Sequence, residues 1–287
     1  MPDLSISEQL MYTTVRIECE YEKGGYGTGT GFFFIFKENS ETGMHIPVII
    51  TNRHVIEDSN VGKATVGRLI FCTKNADGSP NDKGHYAVTI HDFYNAWKIH
   101  PDPSADLCAM PLMLAVNAAK VQGKDLFYIP FDKSLLPNDK FYEDCSSLEE
   151  IIMIGYPNGL WDEVNNKPIF RRGITATDLH FDYDGRKEFL IDCACFPGSS
   201  GSPVIIYNPS GYTDKRGNIS FGRPRIVFLG VMHAGPQATI AGEVKVVDVP
   251  AAIVKKPMAL AMIPNNLGFV IKSSRILELE HEFDSLP

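Results

Sequence analysis

Short apolar runs, each closed by turn-forming residues, recur along the whole chain, and sustained helical periodicity is scarce. Runs rich in β-branched and aromatic residues and bounded by Gly, Asn, Asp or Pro predict strands. In the first half they fall at Thr13–Tyr21, Gly29–Phe36, His45–Thr51, Ala64–Phe71, Ala87–Phe93 and Leu107–Met110. A second set follows at Ile151–Gly155, Ile169–Thr177, Glu188–Cys193, Pro203–Tyr207, Arg225–Met232, Glu243–Val249 and Leu267–Ile271. Between them, residues 113–148 carry Pro, Asn, Asp and Lys with no period-2 alternation, which predicts a crossover between two all-β halves. The one good helical stretch is C-terminal, Ser274–Phe283, with Ile276, Leu277 and Leu279 apolar among charges and Ser273 or Ser274 available as a cap. Strands at this spacing imply sandwiches or barrels rather than a parallel βαβ sheet. The expected division is an N-terminal β unit over 1–120, a linker over 121–148, and a second β unit with its helix over 149–287.

Composition narrows this picture. A length of 287 residues suits one large domain or two subdomains, and 44% hydrophobic with 22% charged residues is ordinary for a globular protein. A formal net charge of -8 argues against a broad phosphate-binding face, so nucleic acid is not expected as a partner. No run of about 18 apolar residues occurs, which argues against a membrane span. The start Met1-Pro2-Asp3-Leu4-Ser5 lacks a basic segment followed by an apolar core, so no secretory signal and a cytoplasmic location are expected. The six cysteines, Cys19, Cys72, Cys108, Cys145, Cys193 and Cys195, are irregularly spaced and read as reduced thiols. Cys193 and Cys195 share one strand face and read as core, because no second cluster completes a metal site. Neither metal nor cofactor is expected.

Two glycine-bearing segments mimic binding loops. Gly25-Tyr26-Gly27-Thr28-Gly29-Thr30-Gly31 lacks the Gly-Lys-Ser/Thr of a phosphate loop and runs into Phe32-Phe33-Phe34-Ile35-Phe36, so a glycine-rich strand is expected. Asp182-Tyr183-Asp184-Gly185 lacks the later acid of a calcium loop and reads as a hairpin turn.

The chemistry concentrates in Phe196-Pro197-Gly198-Ser199-Ser200-Gly201-Ser202-Pro203, a tight turn between two apolar runs. Gly198 tolerates backbone angles that aim its N–H into a site, and with the Ser200 N–H it would make an oxyanion hole around a nucleophilic Ser200. Upstream, His54 follows the strand ending at Thr51, where an imidazole would face a cleft. Asp106 opens an apolar strand, a position that costs free energy unless its carboxylate finds donors, and a histidine Nδ1–H is such a donor. Each residue alone has an ordinary structural reading; order, spacing and flanking strands agree on a base, an acid and a nucleophile.

These segments resemble those of chymotrypsin-fold serine peptidases, in the style of the bacterial HtrA-like and glutamyl-endopeptidase branches. Thr51-Asn52-Arg53-His54-Val55 resembles T-x-x-H-[VC], Asp106-Leu107-Cys108-Ala109-Met110 resembles D-[IL]-A-L, and Gly198–Pro203 resembles G-[DNS]-S-G-[GS]-P. Gly27–Phe32 and Asn266–Ile271 resemble the family's early G-[ST]-G-[ST]-G-[FV] and late N-[IL]-G-F-A-I strands. The resemblance implies an all-β fold of two antiparallel six-stranded barrels with a C-terminal helix, and a site in the cleft between them. It implies a serine endopeptidase acting on polypeptides through His54, Asp106 and Ser200. A silent peptide-binding module and an esterase with the same residues are the rivals; the strand after Pro203, where a nucleophile elbow would open a helix, disfavours the esterase.

Departures from the family also carry expectations. Ser199 stands where zymogens carry aspartate, and no Ile-Val-Gly-Gly-like start or PDZ-like extension is seen, so the site is expected to be either constitutive or ordered by a partner protein or by substrate. Ala194 stands at the base of the P1 pocket, which disfavours Arg and Lys. The run Gly230-Val231-Met232-His233-Ala234-Gly235 resembles the G-x-H-x-[AG]-G pocket wall with its histidine displaced by one residue. A one-residue slip reverses the face of a strand side chain. Either Met232 lines an apolar pocket or His233 lines a Glu/Gln-selective one.

Overall fold

The computed structural model describes residues 4–38, 43–235, 237–243, 258–264 and 266–284. The chain enters through α1 (Ile6–Leu10), held by a capping box in which Ser5 Oγ accepts the Glu8 N–H and the Glu8 carboxylate accepts the Ser5 N–H. Then come β1 (Thr14–Tyr21), β2 (Tyr26–Phe36), β3 (Ile46–Thr51), α2 (Arg53–Ile56), β4 (Glu57–Asp58), β5 (Gly62–Lys74), β6 (Pro80–His91), β7 (Lys98–Ile99) and β8 (Cys108–Pro111). Helix α3 (Leu112–Val121), β9 (Leu126–Phe127) and α4 (Asp139–Asp144) lead to the second half. There lie β10 (Glu150–Gly155), β11 (Ile169–Thr175), β12 (Glu188–Asp192), β13 (Pro203–Asn208), β14 (Gly211–Thr213), β15 (Ile219–Phe221), β16 (Arg225–Ala234), β17 (Gln237–Glu243), β18 (Met258–Pro264) and β19 (Leu267–Lys272). The described chain closes with α5 (Ser274–Leu279) and a 3-10 turn, Glu280–Phe283.

All paired strands are antiparallel, and they make the chymotrypsin-like class of fold. The second half closes into a six-stranded barrel, β10-β11-β12-β19-β16-β13. The first half is a nine-stranded curled sheet, β4-β5-β1-β2-β3-β8-β7, with β6 and β9 also paired to β5. It is therefore a half-barrel rather than a second closed six-stranded one. β5, 13 residues long, pairs with β1, β4, β6 and β9 along its length. β2 is the wall shared by both halves. Phe33 packs into the core of the first sheet, while Phe32, Phe34 and Phe36 point the other way onto Ile205, Phe228, Val231 and Ile271 of the barrel. The period-2 geometry of a strand thus buries a continuous phenylalanine run on both faces. Each such ring contributes about 1.5–3 kcal/mol on burial.

The strands fall close to their expected places, and the glycine-rich segment is β2. Asp184 (φ 50°) and Gly185 (φ 72°) form the expected turn, bridged by Tyr183 and Arg186. The expected strand Glu243–Val249 lies, beyond Glu243, outside the described residues. Helices differ more. α3 was not anticipated, although Leu112, Ala115, Val116 and Ala119 recur at helical spacing and are buried; Pro111 precedes it without a side-chain cap, so no start signal marks it. At the C-terminus Ser273 already has helical angles and neither serine caps the helix; it is anchored through buried Ile276, Leu279 and Phe283. All six cysteines are buried free thiols, and burial pushes those of Cys19, Cys145 and Cys195 up to about 12. Among the described residues no helix is long and apolar enough to cross a membrane.

One cluster pins the crossover to the barrel. Asp178 accepts the Ser147 hydroxyl at 2.6 Å and faces His180 Nδ1 at 2.6 Å, while His180 Nε2 lies 2.6 Å from the Tyr142 carbonyl. Two acceptors on one ring are both satisfied only when both nitrogens donate, so the arrangement favours the imidazolium form of His180. Burial pushes the Asp178 carboxyl up, but the Ser147 and His180 contacts outweigh it and bring it down to about 2; the Asp178 bond raises His180. The lowered carboxyl stabilises the fold above its ordinary 3.8 and stops doing so as pH falls toward about 2. The raised imidazole contributes fully below its ordinary 6.5 and loses that contribution as pH rises through its folded value. Asp178→Asn should therefore lower the melting temperature most between about pH 4 and 6.5, by the equivalent of about 1 kcal/mol or less for this half-exposed pair. Thermal melts at pH 3, 5.5 and 8 test this; a gap of equal size at all three would refute it.

Candidate active site

β3 ends at Thr51, and the single turn of α2 lifts His54 out of the sheet with its side chain exposed. Asn52 occupies the cap position of α2 but does not cap it; its fully buried amide instead donates to the Asp106 carbonyl at 2.8 Å. That bond ties the residue before the helix to the loop leading into β8. Asp106 Oδ1 accepts the His54 backbone N–H at 3.0 Å, and Oδ2 lies 2.5 Å from His54 Nδ1. On the far side of the ring, His54 Nε2 is 2.7 Å from Ser200 Oγ. The three side chains singled out from the sequence thus form one hydrogen-bonded series. Cys108, two residues after Asp106, is fully buried and its thiol is pushed well up by that burial, so it is a packing group here.

The Ser200 loop owes its shape to two glycines. Gly198 (φ +86°) would place a Cβ 2.6 Å from the Tyr156 carbonyl, and Gly201 (φ +87°) would place one 1.9 Å from the Thr30 carbonyl. No side chain fits at either position. Among the described residues neither the Gly198 N–H nor the Ser200 N–H meets an intramolecular acceptor, which leaves both free for an external oxygen. Ser199, between them, is fully buried with its hydroxyl unpartnered.

Thr30 of β2 holds this loop, a role the sequence analysis missed. Its N–H donates to the Ser200 carbonyl at 2.9 Å and its hydroxyl donates to the Gly198 carbonyl at 3.0 Å. The same hydroxyl accepts the Tyr156 N–H at 3.1 Å, and the Ser202 hydroxyl lies 3.3 Å away. Its carbonyl accepts the Thr51 hydroxyl at 2.7 Å, which ties the knot to the strand before His54. The signal was a threonine inside a glycine-rich strand, legible only as turn chemistry.

The pocket candidates separate. Met232 is 3% exposed and packs in the barrel core with Cys193, Cys195, Leu229 and Val270. β16 bulges after it: Met232 pairs with Val270 and Ala234 with Phe269, leaving His233 outside the ladder. The His233 ring sits between two carboxylates, with Nδ1 3.8 Å from Asp106 Oδ2 and Nε2 3.4 Å from Glu188 Oε1. The Ala194 carbonyl accepts Arg171 Nη1 at 3.0 Å, and that guanidinium lies over the Phe196 ring. Gly235 approaches the Leu267 carbonyl and Cys195 closely enough that a Cβ would touch both. Among the described residues no cluster of three or more His, Cys, Asp or Glu could hold a metal.

A family model, the trypsin-like peptidase domain, matches residues 29–211, more than half of the chain and including all three side chains of the series. The chain belongs to this family. It is a trypsin-like serine protease, a hydrolase whose substrates are polypeptides. No curated protein matches it. Among solved structures it is similar to the Rv3671c protease of M. tuberculosis in its active form, at 15% identity over 96% of this chain and 83% of that one, with a TM-score of 0.45. It is also similar to the thermostable serine protease AL20 from an extremophilic microorganism, at 12% identity, 96% and 98% coverage and a TM-score of 0.45. Deg5 is a third, at 18% identity, 81% and 88% coverage and a TM-score of 0.42.

The Thr30 knot makes a direct prediction for this peptidase. Thr30→Val keeps the shape but removes the hydroxyl, stranding the Tyr156 N–H and the Gly198 carbonyl. The expected loss is about 1–3 kcal/mol in denaturant unfolding, with a slower reaction at Ser200. Unchanged values in both measurements would show that the hydroxyl does not shape the loop.

Proposed function

We propose that the protein is a serine endopeptidase that works through Ser200, His54 and Asp106 by way of an acyl-enzyme. The observation that carries this reading is the unbroken series Asp106–His54–Ser200, with contacts of 2.5 and 2.7 Å. His54 Nε2 takes the Ser200 proton as Oγ attacks the scissile carbonyl, then returns it to the leaving amine. Asp106, which grips both the His54 backbone and its Nδ1, keeps Nε2 as the acceptor and stabilises the imidazolium. The free N–H groups of Gly198 and Ser200 receive the oxyanion, each worth about 3 kcal/mol in comparable sites. Water then cleaves the ester by the same proton path.

Ser199 bears on regulation. A buried neutral hydroxyl beside the nucleophile offers no carboxylate to a newly cut amino terminus, so activation by terminal insertion has no receiver. Specificity follows the same reasoning. Ala194 brings no charge and the His233 ring is turned to carboxylates, which together favour an apolar P1 residue over Glu or Gln. The base and acid come from the N-terminal unit over 1–120 and the nucleophile from the unit over 149–287, joined by 121–148.

A fluorophosphonate probe should label the wild-type protein and fail to label Ser200→Ala and His54→Ala. Labelling that survives Ser200→Ala would eliminate Ser200 as the nucleophile. In a peptide-library cleavage profile, cleavage after apolar residues is expected; a dominant Glu or Gln at P1 would overturn the pocket assignment.

A further inference from the structure

Building on the Ser200–His54–Asp106 reading, we infer that His233 is a positioning residue for Asp106, itself anchored from behind by Glu188. The Asp106 carboxylate is 26% exposed and, among the described residues, takes its hydrogen bonds only from His54, one on each oxygen. A carboxylate accepts about four donors, so its remaining side is open to rotation or water unless something closes it. His233 closes it: the bulge in β16 removes the residue from the ladder and sets Nδ1 3.8 Å from Oδ2. The ring is 15% exposed and lies against Phe269 at 6.2 Å, which limits its movement.

Glu188, the first residue of β12, supplies the second hold. Its side chain is 8% exposed and its Oε1 is 3.4 Å from His233 Nε2; Arg186 lies 3.5 Å from Oε2. Burial pushes this carboxyl up, yet the His233 and Arg186 contacts leave it below its ordinary value, so it stays an anion facing the imidazole. One ring therefore spans two carboxylates, and the outer one fixes the orientation in which the ring meets Asp106. Both separations are longer than a hydrogen bond, so the ring holds its place beside the two carboxylates by proximity and packing.

The test compares wild type, His233→Ala, His233→Gln, Glu188→Gln and Ser200→Ala. Three quantities are read: the fluorophosphonate labelling rate, the melting temperature, and the low-field proton NMR signal of the His54–Asp106 hydrogen bond. His233→Ala should slow labelling by about ten- to a hundredfold and shift or broaden the low-field signal. His233→Gln, which restores a donor, should recover part of both, and Glu188→Gln should fall between. Labelling and proton signal in His233→Ala within twofold of wild type would overturn the inference. So would equal losses in the Ala and Gln variants that track melting temperature alone. Labelling that persists in Ser200→Ala would instead remove the underlying triad reading, so the two failures are distinguishable.

Discussion

The Thr30 hydroxyl is the point on which the rest of the site depends. Its one proton goes to the Gly198 carbonyl and its lone pairs face the Tyr156 N–H and the Ser202 hydroxyl, so a hydroxyl's whole bonding capacity is used in one buried place. Thr30 belongs to the curled sheet; Gly198, Ser200, Ser202 and Tyr156 belong to the barrel side. A single residue thus couples the strand that pairs with the segment before His54 to the loop that carries Ser200. In a low-dielectric interior such a network is rigid when complete and costly when one member is missing.

That coupling explains why the loop is formed without a salt bridge at Ser199. Where a charged latch orders such a loop, removal of the latch frees it to rearrange. Here the order comes from neutral hydrogen bonds and from steric necessity at Gly198 and Gly201, where backbone oxygens occupy the space a Cβ would need. None of these forces depends on cleavage of the chain. The phenylalanine wall beneath, Phe32 and Phe34 against Phe228, sets the spacing between the halves to which the hydrogen bonds then conform.

Much of this was legible in the sequence, because the informative signals were local. Apolar runs with turn-forming ends located the main strands but not β4, β7, β9, β14, β15, β17 or β18, and His54, Asp106 and Ser200 stood out because each sits at the end or opening of a strand. What escaped notice depends on tertiary placement. α3 has helical spacing but no cap, and its helix is sustained by burial of Leu112, Ala115, Val116 and Ala119 rather than by a start signal. In the curled sheet β5 gathers four partners, a pairing choice that no single run announces. Thr30 acts through atoms that other segments bring to it, and a threonine between glycines says nothing of that by itself.

Glu188 shows where the local signal was present and passed over. The argument that marked Asp106, a carboxylate opening an apolar strand and needing donors, applies equally to Glu188 before Phe189-Leu190-Ile191. Asp106 takes donors from His54, whereas Glu188 only faces His233 Nε2 at 3.4 Å, with Arg186 3.5 Å from its other oxygen. The one-residue displacement of His233 from the pocket-wall pattern then acquires a physical meaning. A bulge turns that side chain away from the Met232 side of the strand and toward the two acids. On the proposed reading, a histidine in the pocket wall would select substrate, and its displacement would exchange that contact for one with Asp106.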